Sequence, residues 1–411
     1  MDTAFSLTRP LVVVMVGLPA RGKTYTARKL ARYLSWLGYN AQVFNVGNYR
    51  RTLFGSQVPH SFFDPDNPDG LAARQRAAMD ALDDTFRWFQ EELGQIAIYD
   101  ATNSTQTRRQ LVLEHCQRRG ADVLFLEILC HDAGIVESNI RQTKLSSPDY
   151  VGVSASDAVN DFRARIAHYE QAYQTITNEQ LSFIKIIDVG RQVVINRSEG
   201  YLVGRIANFL ANLSVTPRPI WLSRHGESMA NVARRIGGDE PLSPRGQRYA
   251  VNLARFLNER VGEGVTVLTS TLQRTLQTGE VLGRPSTALR LLNEIDAGVC
   301  DGMSYAEIKR HFPEEYAARQ EDKLRYRYPR GESYEDVISR LEPIIIALER
   351  QREPTMVVAH QAILRALYAY FVDRPREEVP YLDIPLHTVI ELIPKAYGCD
   401  ERRYALGPIV A

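Results

Sequence analysis

The most constraining stretch of this sequence is a run of six apolar residues, Leu11 to Val16, which passes directly into the glycine-containing segment GLPARGKT. A continuous β-branched run predicts a strand that is buried on both faces, as in a parallel sheet. The segment matches G-x-x-x-x-G-K-[ST], a pattern whose backbone N–H groups bind phosphate. Because apolar residues recur at helical spacing over residues 24–37, the order of strand, glycine loop and helix indicates a phosphate-binding loop.

Two polar residues in this loop and one beyond it could bind the phosphates and the metal ion of a nucleotide. Lys23 is expected to reach the β- and γ-phosphates of a nucleotide, and the Thr24 hydroxyl to hold Mg²⁺. Asp100 ends the strand predicted at residues 95–99, and ligands of α/β sheets bind at the carboxyl ends of strands. Its carboxylate could bind Mg²⁺ or accept a proton from a substrate hydroxyl, or it could cap the turn that follows. Cys130 ends a further apolar run, where its residue type favours a small buried side chain.

Helices and strands alternate through the first half of the chain. Helical periodicity covers residues 69–93, 108–119, 133–143, 155–176 and 199–213, and strands are predicted at residues 41–46, 95–99, 122–130 and 181–188. This order predicts an α/β fold with a mostly parallel sheet and flanking helices. Basic residues recur near the expected crevice and are compatible with a second anionic substrate beside the nucleotide: Arg50, Arg51, Arg74, Arg108, Lys144 and Arg165.

A proline-containing stretch, SVTPRP at residues 214–219, interrupts this alternation. Pro217 and Pro219 cannot continue a helix and restrict their neighbours. A chain of 411 residues also exceeds one ordinary domain. We therefore predict a first domain over residues 1–213, a linker over residues 214–218 and a second domain over residues 219–411.

The second half has two histidines at the ends of predicted strands. One apolar run ends at Arg224 and His225, and another ends at His360. A histidine beside cationic side chains can attack a phosphoryl group and become phosphohistidine, although a single Arg-His-Gly could equally be a surface turn. The other charged candidates in comparable positions are Arg274 near a helix start and Glu294 in a loop. Together they could bind a phosphomonoester, form phosphohistidine and protonate the leaving oxygen.

Composition argues against several classes of protein. The formal net charge of +1 gives no field that would attract nucleic acid or a membrane, and no run of about 18 apolar residues could span a bilayer. The first ten residues lack the regions of a signal peptide, and the four cysteines form no C-x-x-C pair. We therefore expect a cytoplasmic protein with reduced thiols. The short stretch before the first strand and the end at Ala411 lead us to expect no regulatory extensions. Neither end has a basic cluster followed by serine, so we expect no phosphorylation switch of that type.

Longer motifs support a family resemblance. The second half resembles the histidine phosphatase (phosphoglycerate mutase-like) superfamily in RHGE at residues 224–227, LSPRG at 242–246, STLQRTLQT at 270–278, Asn293-Glu294 and Ala359-His360. The first half resembles P-loop small-molecule kinases. The whole chain resembles the 6-phosphofructo-2-kinase/fructose-2,6-bisphosphatase family, and the matching stretches are residues 16–25, 44–51, 100–103, 146–150, 293–300 and 328–334. One departure is His131, which follows Cys130 where a small acidic or amide residue is expected.

The resemblance implies a P-loop kinase domain that transfers the γ-phosphoryl group of ATP to the 2-hydroxyl of fructose 6-phosphate, with Mg²⁺ as cofactor. The residues expected to contact ATP are Gly17, Leu18, Pro19, Ala20, Arg21, Gly22, Lys23, Thr24, Tyr25, Asn139 and Lys144. Those expected to hold the sugar phosphate are Arg50, Arg74, Thr102, Arg108, Lys144, Arg165 and Tyr169. Asp100 and Cys130 match active-site positions, and Thr24 with Asp100 is the expected metal site. Positioning and charge neutralisation carry such chemistry.

The resemblance also implies a histidine phosphatase domain that removes the 2-phosphate of fructose 2,6-bisphosphate without a metal. His225 is the expected nucleophile and Glu294 the expected proton donor, while Arg224, Arg274 and His360 are expected to stabilise the phosphoryl oxygens. The matching substrate-binding positions are Arg224, Asn231, Gly237, Tyr305, Tyr334, Gln361, Arg365 and, for the distal 6-phosphate, Arg319 and Lys323. The implied partners are fructose 6-phosphate, fructose 2,6-bisphosphate, ATP, ADP and phosphate. Members of the family often form homodimers.

Three other functions are compatible with parts of this pattern. One activity could dominate while the other is residual, or the chain could be a sugar-phosphate-binding regulatory protein without turnover. Both catalytic sets are intact in the sequence, which favours two working sites. A nucleic-acid kinase-phosphatase should carry a basic channel, and the net charge of +1 argues against it.

Overall fold

The structure is a computed structural model that describes residues 7–141, 147–214, 216–261, 264–395 and 398–407. It consists of two compact units, Met1–Leu213 and Ser214–Ala411. Each unit contains a six-stranded sheet with flanking helices, so the predicted α/β class is confirmed. Within the described residues no helix is long and apolar enough to cross a membrane.

The first unit alternates strands and helices along most of its length. Its strands are β1 (Leu11–Val16), β2 (Ala41–Asn45), β3 (Ile96–Asp100), β4 (Asp122–Leu129), β5 (Phe183–Ile187) and β6 (Gln192–Asn196). Its helices are α1 (Lys23–Leu37), α2 (Val46–Phe54), α3 (Pro68–Glu91), α4 (Gln106–Arg118), α5 (Ala133–Asn139), α6 (Ala155–Ala172) and α7 (Tyr201–Ala211). Short 3₁₀ turns cover His60–Phe63 and Pro148–Tyr150.

The sheet of the first unit explains why its polar candidates gather at one edge. Its order is β2-β3-β1-β4-β5-β6, and every neighbouring pair is parallel except β5 with β6. β1 is buried along its whole length between β3 and β4, as its apolar run predicts. Because these strands share one direction, the loops after β1, β3 and β4 meet at a single edge. The core behind them includes Val12, Val14, Tyr99 and Phe125.

One helix of the first unit is shorter than the sequence predicts. The helix predicted over residues 155–176 ends at Ala172, because Tyr173 adopts an extended conformation. Buried Glu127 accepts hydrogen bonds from the Tyr173 hydroxyl at 2.5 Å and from the Ile176 N–H at 3.2 Å, which directs the chain away from the helix. The helix predicted over residues 133–143 is an α-helix over Ala133–Asn139 and continues as π-helix through residues 140 and 141, and residues 142 and 143 lie outside the described part. The other predicted elements of this unit agree to within about two residues at each end.

The second unit begins with the strand that carries the Arg-His pair. Its strands are β7 (Ile220–Arg224), β8 (Thr266–Thr269), β9 (Ser286–Ala288), β10 (Thr355–Ala359), β11 (Thr388–Pro394) and β12 (Cys399–Ala405). Its helices are α8 (Met229–Val232), α9 (Pro244–Val261), α10 (Gln273–Glu280), α11 (Tyr305–His311), α12 (Pro313–Glu321), α13 (Tyr334–Arg350) and α14 (Gln361–Val372). Short 3₁₀ turns cover Arg290–Leu292, Gly298–Cys300 and Arg376–Tyr381.

The register of the second sheet brings the two histidines together. Its order is β12-β11-β7-β10-β8-β9. Strands β7, β10, β8 and β9 are parallel to one another, and β11 is antiparallel to both of its neighbours, β7 and β12. Arg224 lies opposite Ala359 in the parallel pair of β7 and β10. The next residues, His225 and His360, therefore lie side by side at the carboxyl ends of these strands. The His225 N–H also donates to the Ala359 carbonyl oxygen at 3.0 Å.

Candidate active sites

The loop after β1 has the conformation of a phosphate cradle. Gly17 adopts φ +137°, and a Cβ added there would lie 2.5 Å from the Ile128 carbonyl oxygen, so only glycine fits. Ala20 is also left-handed, with φ 59°. Lys23 begins α1 and donates from Nζ to the Leu18 carbonyl oxygen at 2.6 Å, so its ammonium lies over the loop. A buried cation and the backbone N–H groups at the start of α1 together suit a phosphate group.

Asp100 lies beside this loop because β3 is the neighbour of β1. Its Oδ2 accepts hydrogen bonds from Thr24 Oγ1 at 2.8 Å and from Asn45 Nδ2 at 2.5 Å. Hydroxyl and carboxylate oxygens are the hard ligands that Mg²⁺ prefers, so these residues fit the expected metal. Sequence reasoning missed Asn45, although its place at the end of β2 could have indicated it. Thr102 contacts the loop through its carbonyl oxygen, which accepts the Gly17 N–H at 3.0 Å.

The remaining nucleotide candidates surround the loop, with one exception. Asn139 ends α5, and its Nδ2 donates to the Ala20 carbonyl oxygen at 3.0 Å. Arg21 forms an ion pair with Glu170 at 3.3 Å. The other candidates belong to the loop or to the first turn of α1: Leu18, Pro19, Gly22 and Tyr25. Lys144, expected to contact both substrates, lies outside the described residues.

Cys130 follows β4 at the same edge, but its surroundings do not activate the thiol. Its Sγ lies 3.9 Å from the Asp132 carbonyl oxygen, and burial raises the pKa of the thiol. A thiol with a raised pKa stays protonated and is a weak nucleophile. His131, the departure from the family pattern, is 70% exposed and its Nδ1 lies 3.1 Å from Asp188 Oδ1.

Most sugar-phosphate candidates converge on Phe63, in the turn His60–Phe63. The guanidinium carbons of Arg50 and Arg165 lie 5.8 and 4.7 Å from the centre of its ring. The ring centres of Tyr169 and Phe63 are 5.9 Å apart. Arg74 donates from Nη1 to the Phe63 carbonyl oxygen at 2.6 Å. Candidates from α2, α3 and α6 therefore meet around one aromatic side chain, which sequence reasoning did not single out.

Asp149 holds the two most buried of these arginines. Arg50 donates from Nη2 to both carboxylate oxygens at 2.8 and 2.7 Å, and Arg165 Nη1 lies 3.3 Å from Oδ2. Arg108 joins the group by donating to the Arg74 carbonyl oxygen at 3.1 Å. Since the buried arginines already have a carboxylate partner, a sugar phosphate must share them with Asp149.

In the second unit the two histidine rings are in contact. The ring centres of His225 and His360 are 5.1 Å apart. His225 Nδ1 lies 2.7 Å from the Gly226 carbonyl oxygen, and since a carbonyl only accepts, Nδ1 carries the proton and Nε2 keeps a lone pair. Burial, together with Arg274 and Arg224, lowers the pKa of His225 well below its usual value. The imidazole is therefore neutral and nucleophilic at neutral pH.

Two arginines flank these histidines. Arg274 donates from Nε to His360 Nδ1 at 3.3 Å and from Nη1 to the Gly238 carbonyl oxygen at 2.6 Å. Arg224 donates from Nη1 to the Ile384 carbonyl oxygen at 3.3 Å, and its buried Nε has no hydrogen-bond partner among the described residues. Burial lowers the pKa of Arg224 to about 10, which leaves it cationic at neutral pH. A phosphoryl group would satisfy such a buried donor.

Glu294 is held at the amino-terminal end of α14. Its Oε1 accepts the N–H groups of Ile295 at 3.0 Å and of Ala362 at 3.2 Å. Both bonds engage the same oxygen, so Oε2 remains to exchange a proton. Arg340 fixes the loop by donating to the backbone oxygens of Asn293 at 2.7 Å and Glu294 at 3.3 Å. Sequence reasoning missed Arg340, because an arginine in a helix carries no such signal.

Three cations form a second cluster that suits a distal phosphate. Burial lowers the pKa of Lys323, and the positive charges of Arg319 and Arg365 lower it further. Arg319 donates to the Tyr305 hydroxyl at 3.0 Å, and Arg365 donates to the Tyr334 hydroxyl at 3.0 Å. All five predicted residues therefore belong to one cluster of cations and tyrosines.

The other predicted substrate positions have structural roles that the geometry makes plain. Gly237 adopts φ +69°, and a Cβ there would lie 1.5 Å from Asp301 Oδ1, so only glycine fits. Asn231 completes the capping box of α8. Gln361 begins α14 directly after the second histidine. Tyr381, which sequence reasoning missed, has its ring centre 4.8 Å from a lysine ammonium of the distal cluster.

Comparisons with known proteins agree with both halves of this geometry. A family model described as 6-phosphofructo-2-kinase matches residues 3–217, and one described as histidine phosphatase superfamily (branch 1) matches residues 220–406. The chain is 52% identical to a 6-phosphofructo-2-kinase/fructose-2,6-bisphosphatase of Arabidopsis thaliana, covering 97% of this chain and 54% of that protein. It is 49% identical to 6-phosphofructo-2-kinase/fructose-2,6-bisphosphatase 4 of Rattus norvegicus, covering 95% of this chain and 84% of that one. It is 50% identical to 6-phosphofructo-2-kinase/fructose-2,6-bisphosphatase 1 of Homo sapiens, covering 95% of this chain and 83% of that protein. The chain thus spans about half the length of the plant relative.

Proposed function

This chain belongs to the 6-phosphofructo-2-kinase/fructose-2,6-bisphosphatase family, and from that premise we propose that it works as a bifunctional enzyme. One site makes fructose 2,6-bisphosphate from fructose 6-phosphate and ATP, and the other hydrolyses its 2-phosphate. The observation that carries the proposal is that each half has its catalytic groups in contact, Thr24 with Asp100 and His225 with His360. The balance of the two rates sets the level of a regulator of glycolysis and gluconeogenesis.

In the kinase half, binding and orientation carry the chemistry. Lys23 exchanges its bond to the Leu18 carbonyl oxygen for the β- and γ-phosphates of ATP. Thr24 and Asp100 supply oxygen ligands for Mg²⁺, which neutralises charge on the phosphate oxygens when it is bound. Asp100 also accepts the proton of the sugar 2-hydroxyl as that oxygen attacks the γ-phosphorus and the bond to the β-phosphate oxygen breaks. The arginines around Phe63 hold the 6-phosphate.

In the phosphatase half, His225 acts as the nucleophile and Glu294 transfers the protons. His225 Nε2 attacks the phosphorus of the 2-phosphate, the bond to the sugar oxygen breaks, and Glu294 gives that oxygen a proton. Glu294 then takes a proton from the water that attacks phosphohistidine, which releases phosphate and restores neutral His225. Arg224 and Arg274 stabilise the phosphoryl oxygens throughout. The second histidine, expected from the resemblance to do the same, acts instead by holding Arg274 through its Nδ1. Cationic side chains supply all the charge that this route requires.

Cofactors, partners and compartment follow from the same proposal. The kinase uses ATP and Mg²⁺ and releases ADP, the phosphatase uses no metal, and neither half takes nucleic acid or a membrane as partner. Cys116, Cys130 and Cys300 are free thiols, which supports a reducing, cytoplasmic location. A homodimer, expected from the resemblance, is part of the proposal, and sedimentation of the full chain tests it.

Both initial rates, measured on one purified sample, test the proposal. Kinase activity is followed with ATP, Mg²⁺ and fructose 6-phosphate, and phosphatase activity with fructose 2,6-bisphosphate. We expect both rates, with the kinase product hydrolysed by the second site to fructose 6-phosphate. Binding of the sugar phosphates without turnover of either would instead identify a regulatory protein. Turnover at one site alone would identify an enzyme with one dominant activity.

A further inference from the structure

A buried serine hydroxyl links the end of β8 to the second histidine of the phosphatase site. Ser270 follows β8 directly and is fully buried. Its Oγ lies 2.8 Å from His360 Nε2, 2.7 Å from Thr275 Oγ1 and 3.1 Å from the Leu272 nitrogen. A hydroxyl donates one hydrogen bond and accepts two, so these three partners use its full capacity.

The direction of each bond in this chain can be worked out from Arg274. A guanidinium only donates, so His360 Nδ1 must accept the Arg274 Nε–H at 3.3 Å. Burial, together with His225 and Arg274, lowers the pKa of His360 well below its usual value, so the ring carries a single proton. That proton is on Nε2, which donates to Ser270 Oγ.

The direction of the serine hydrogen then follows. The Leu272 N–H uses the second lone pair of Ser270, so the serine must give its own hydrogen to Thr275 Oγ1. Thr275 in turn donates to a backbone carbonyl oxygen, that of Leu272 at 2.8 Å or that of Ser270 at 3.1 Å. Reversing the His360 tautomer would point an Nδ1–H at the Arg274 Nε–H and would break this chain.

From this network we propose that Ser270, together with Thr275, is a positioning residue of the phosphatase site that fixes the His360 proton on Nε2. The Nδ1 lone pair is thereby kept for Arg274, whose Nη1 is bound to the Gly238 carbonyl oxygen at 2.6 Å. With Nε and Nη1 both anchored, the guanidinium has one orientation in which to present Nη2 to a phosphoryl group. The proposal rests on the phosphatase function proposed above.

Removing the serine hydroxyl therefore acts through His360 on the phosphate-binding Arg274. Ser270→Ala leaves the His360 Nε2–H buried without its acceptor, so the ring can turn and release Arg274. We expect kcat of the phosphatase to fall by about 10- to 100-fold, less than the loss of a donor that contacts the reacting oxygens directly. KM should change much less, because the distal cluster that binds the other phosphate is untouched. The kinase rate of the same sample should not change.

Matched variants separate positioning from packing. Thr275→Val removes the second hydroxyl at nearly constant shape and should lower kcat, whereas Thr275→Ser keeps the hydroxyl and should retain it. The control is Thr269→Val, because the neighbouring Thr269 hydroxyl is buried and has no hydrogen-bond partner in the described part of the chain. Equal losses in Thr275→Ser and Thr275→Val, or a loss in Thr269→Val, would assign the effect to packing and overturn the proposal.

A spectroscopic measurement tests the tautomer without relying on turnover. In full-length protein labelled with ¹⁵N-histidine, the two ring nitrogens of a neutral imidazole differ strongly in shift, and His360→Gln identifies the signals. We expect protonated Nε2 and bare Nδ1 in the wild type and a mixture in Ser270→Ala. An unchanged tautomer, or a changed tautomer with unchanged kcat, overturns the positioning role. A wild type that shows the expected tautomer but no phosphatase rate would contradict the proposed function and not this assignment of the proton.

Discussion

The hydrogen on His225 Nδ1 is donated to the carbonyl oxygen of Gly226 across 2.7 Å. This bond to the next residue fixes the tautomer of the ring before any substrate arrives, and it leaves Nε2 as the reacting atom. A second hydrogen bond holds the backbone after His225 in place, because the Gly226 N–H donates to Thr278 Oγ1 at 3.1 Å. The nucleophile is thus prepared by backbone and hydroxyl contacts that need no charged partner.

His225→Ala should abolish covalent labelling of the protein by fructose 2,6-bisphosphate carrying ³²P at its 2-phosphate. The reason is that no other described side chain at the site combines a free imidazole nitrogen with flanking arginines. Labelling is measured after rapid quenching, and its loss on mild acid treatment identifies phosphohistidine. The kinase rate of the variant serves as the control for folding. Acid-labile label that persists in the variant would mean that another residue is the nucleophile.

Asp100→Ala should reduce the kinase rate far more than Cys130→Ser. The carboxylate bonds to Thr24 at 2.8 Å and can act as a metal ligand and as a base, so we expect a loss of about 100-fold or more. The thiol has a pKa raised by burial, and we expect a change of less than about 10-fold. Kinase rates over a range of Mg²⁺ concentrations measure both effects. A greater loss in the cysteine variant would give the thiol a part in the chemistry.

Lys323→Met should raise KM for fructose 2,6-bisphosphate by about 10-fold and leave kcat nearly unchanged, because a distal charge contributes equally to the ground state and the transition state. The control is Lys309→Met, since Lys309 also lies over a tyrosine, 5.7 Å from the ring of Tyr316, but is exposed on α11. Steady-state rates at several substrate concentrations give both constants. A fall in kcat alone would mean that Lys323 belongs to the reacting centre.

The second unit should lose stability as the pH falls below about 6.5. Burial lowers the pKa values of His225 and His360 below their usual value, so both are neutral in the folded state. The unfolded chain binds these protons as the pH falls, so stability is fully present above that value and declines below it. Hydrogen exchange of β7 and β10 at about pH 7.5 and about pH 5.5, corrected for intrinsic rates, measures the change.

The matched variant carries His225→Gln and His360→Gln together. Removing both titrating rings should reduce the difference in exchange protection between the two pH values. Part of that difference should remain, because burial also lowers the pKa of His387. β1 and β4 of the first unit provide an internal reference in the same sample. Identical pH dependence in the variant and the wild type would rule out these two histidines as the cause.

Much of the fold could be predicted because its central strands are apolar runs. β1 and β10 are buried at every position, and their sequences are continuous hydrophobic stretches. Two of the edge strands, β6 and β12, were not predicted. β6 has no fully buried residue, and β12 is largely exposed. The sequence of β12, CDERRYA, is mostly polar, so pairing with β11 and not composition makes it a strand.

The site was predictable where topology brings strand ends together. Thr24 and Asp100 are 76 residues apart and nevertheless share a hydrogen bond, as the rule for parallel strands requires. The supporting contacts were not predictable. Nothing in the sequence shows that Asp149 holds Arg50 or that Ser270 accepts from His360, because an isolated aspartate or serine has many structural roles.

The central claim is that one chain contains two separate active sites, and paired rates in two variants test it most directly. Kinase and phosphatase rates are measured for the wild type, Lys23→Met and His225→Ala, each on one sample. We predict that Lys23→Met loses the kinase and keeps the phosphatase, and that His225→Ala does the reverse. Loss of both activities in either properly folded variant would contradict separate sites.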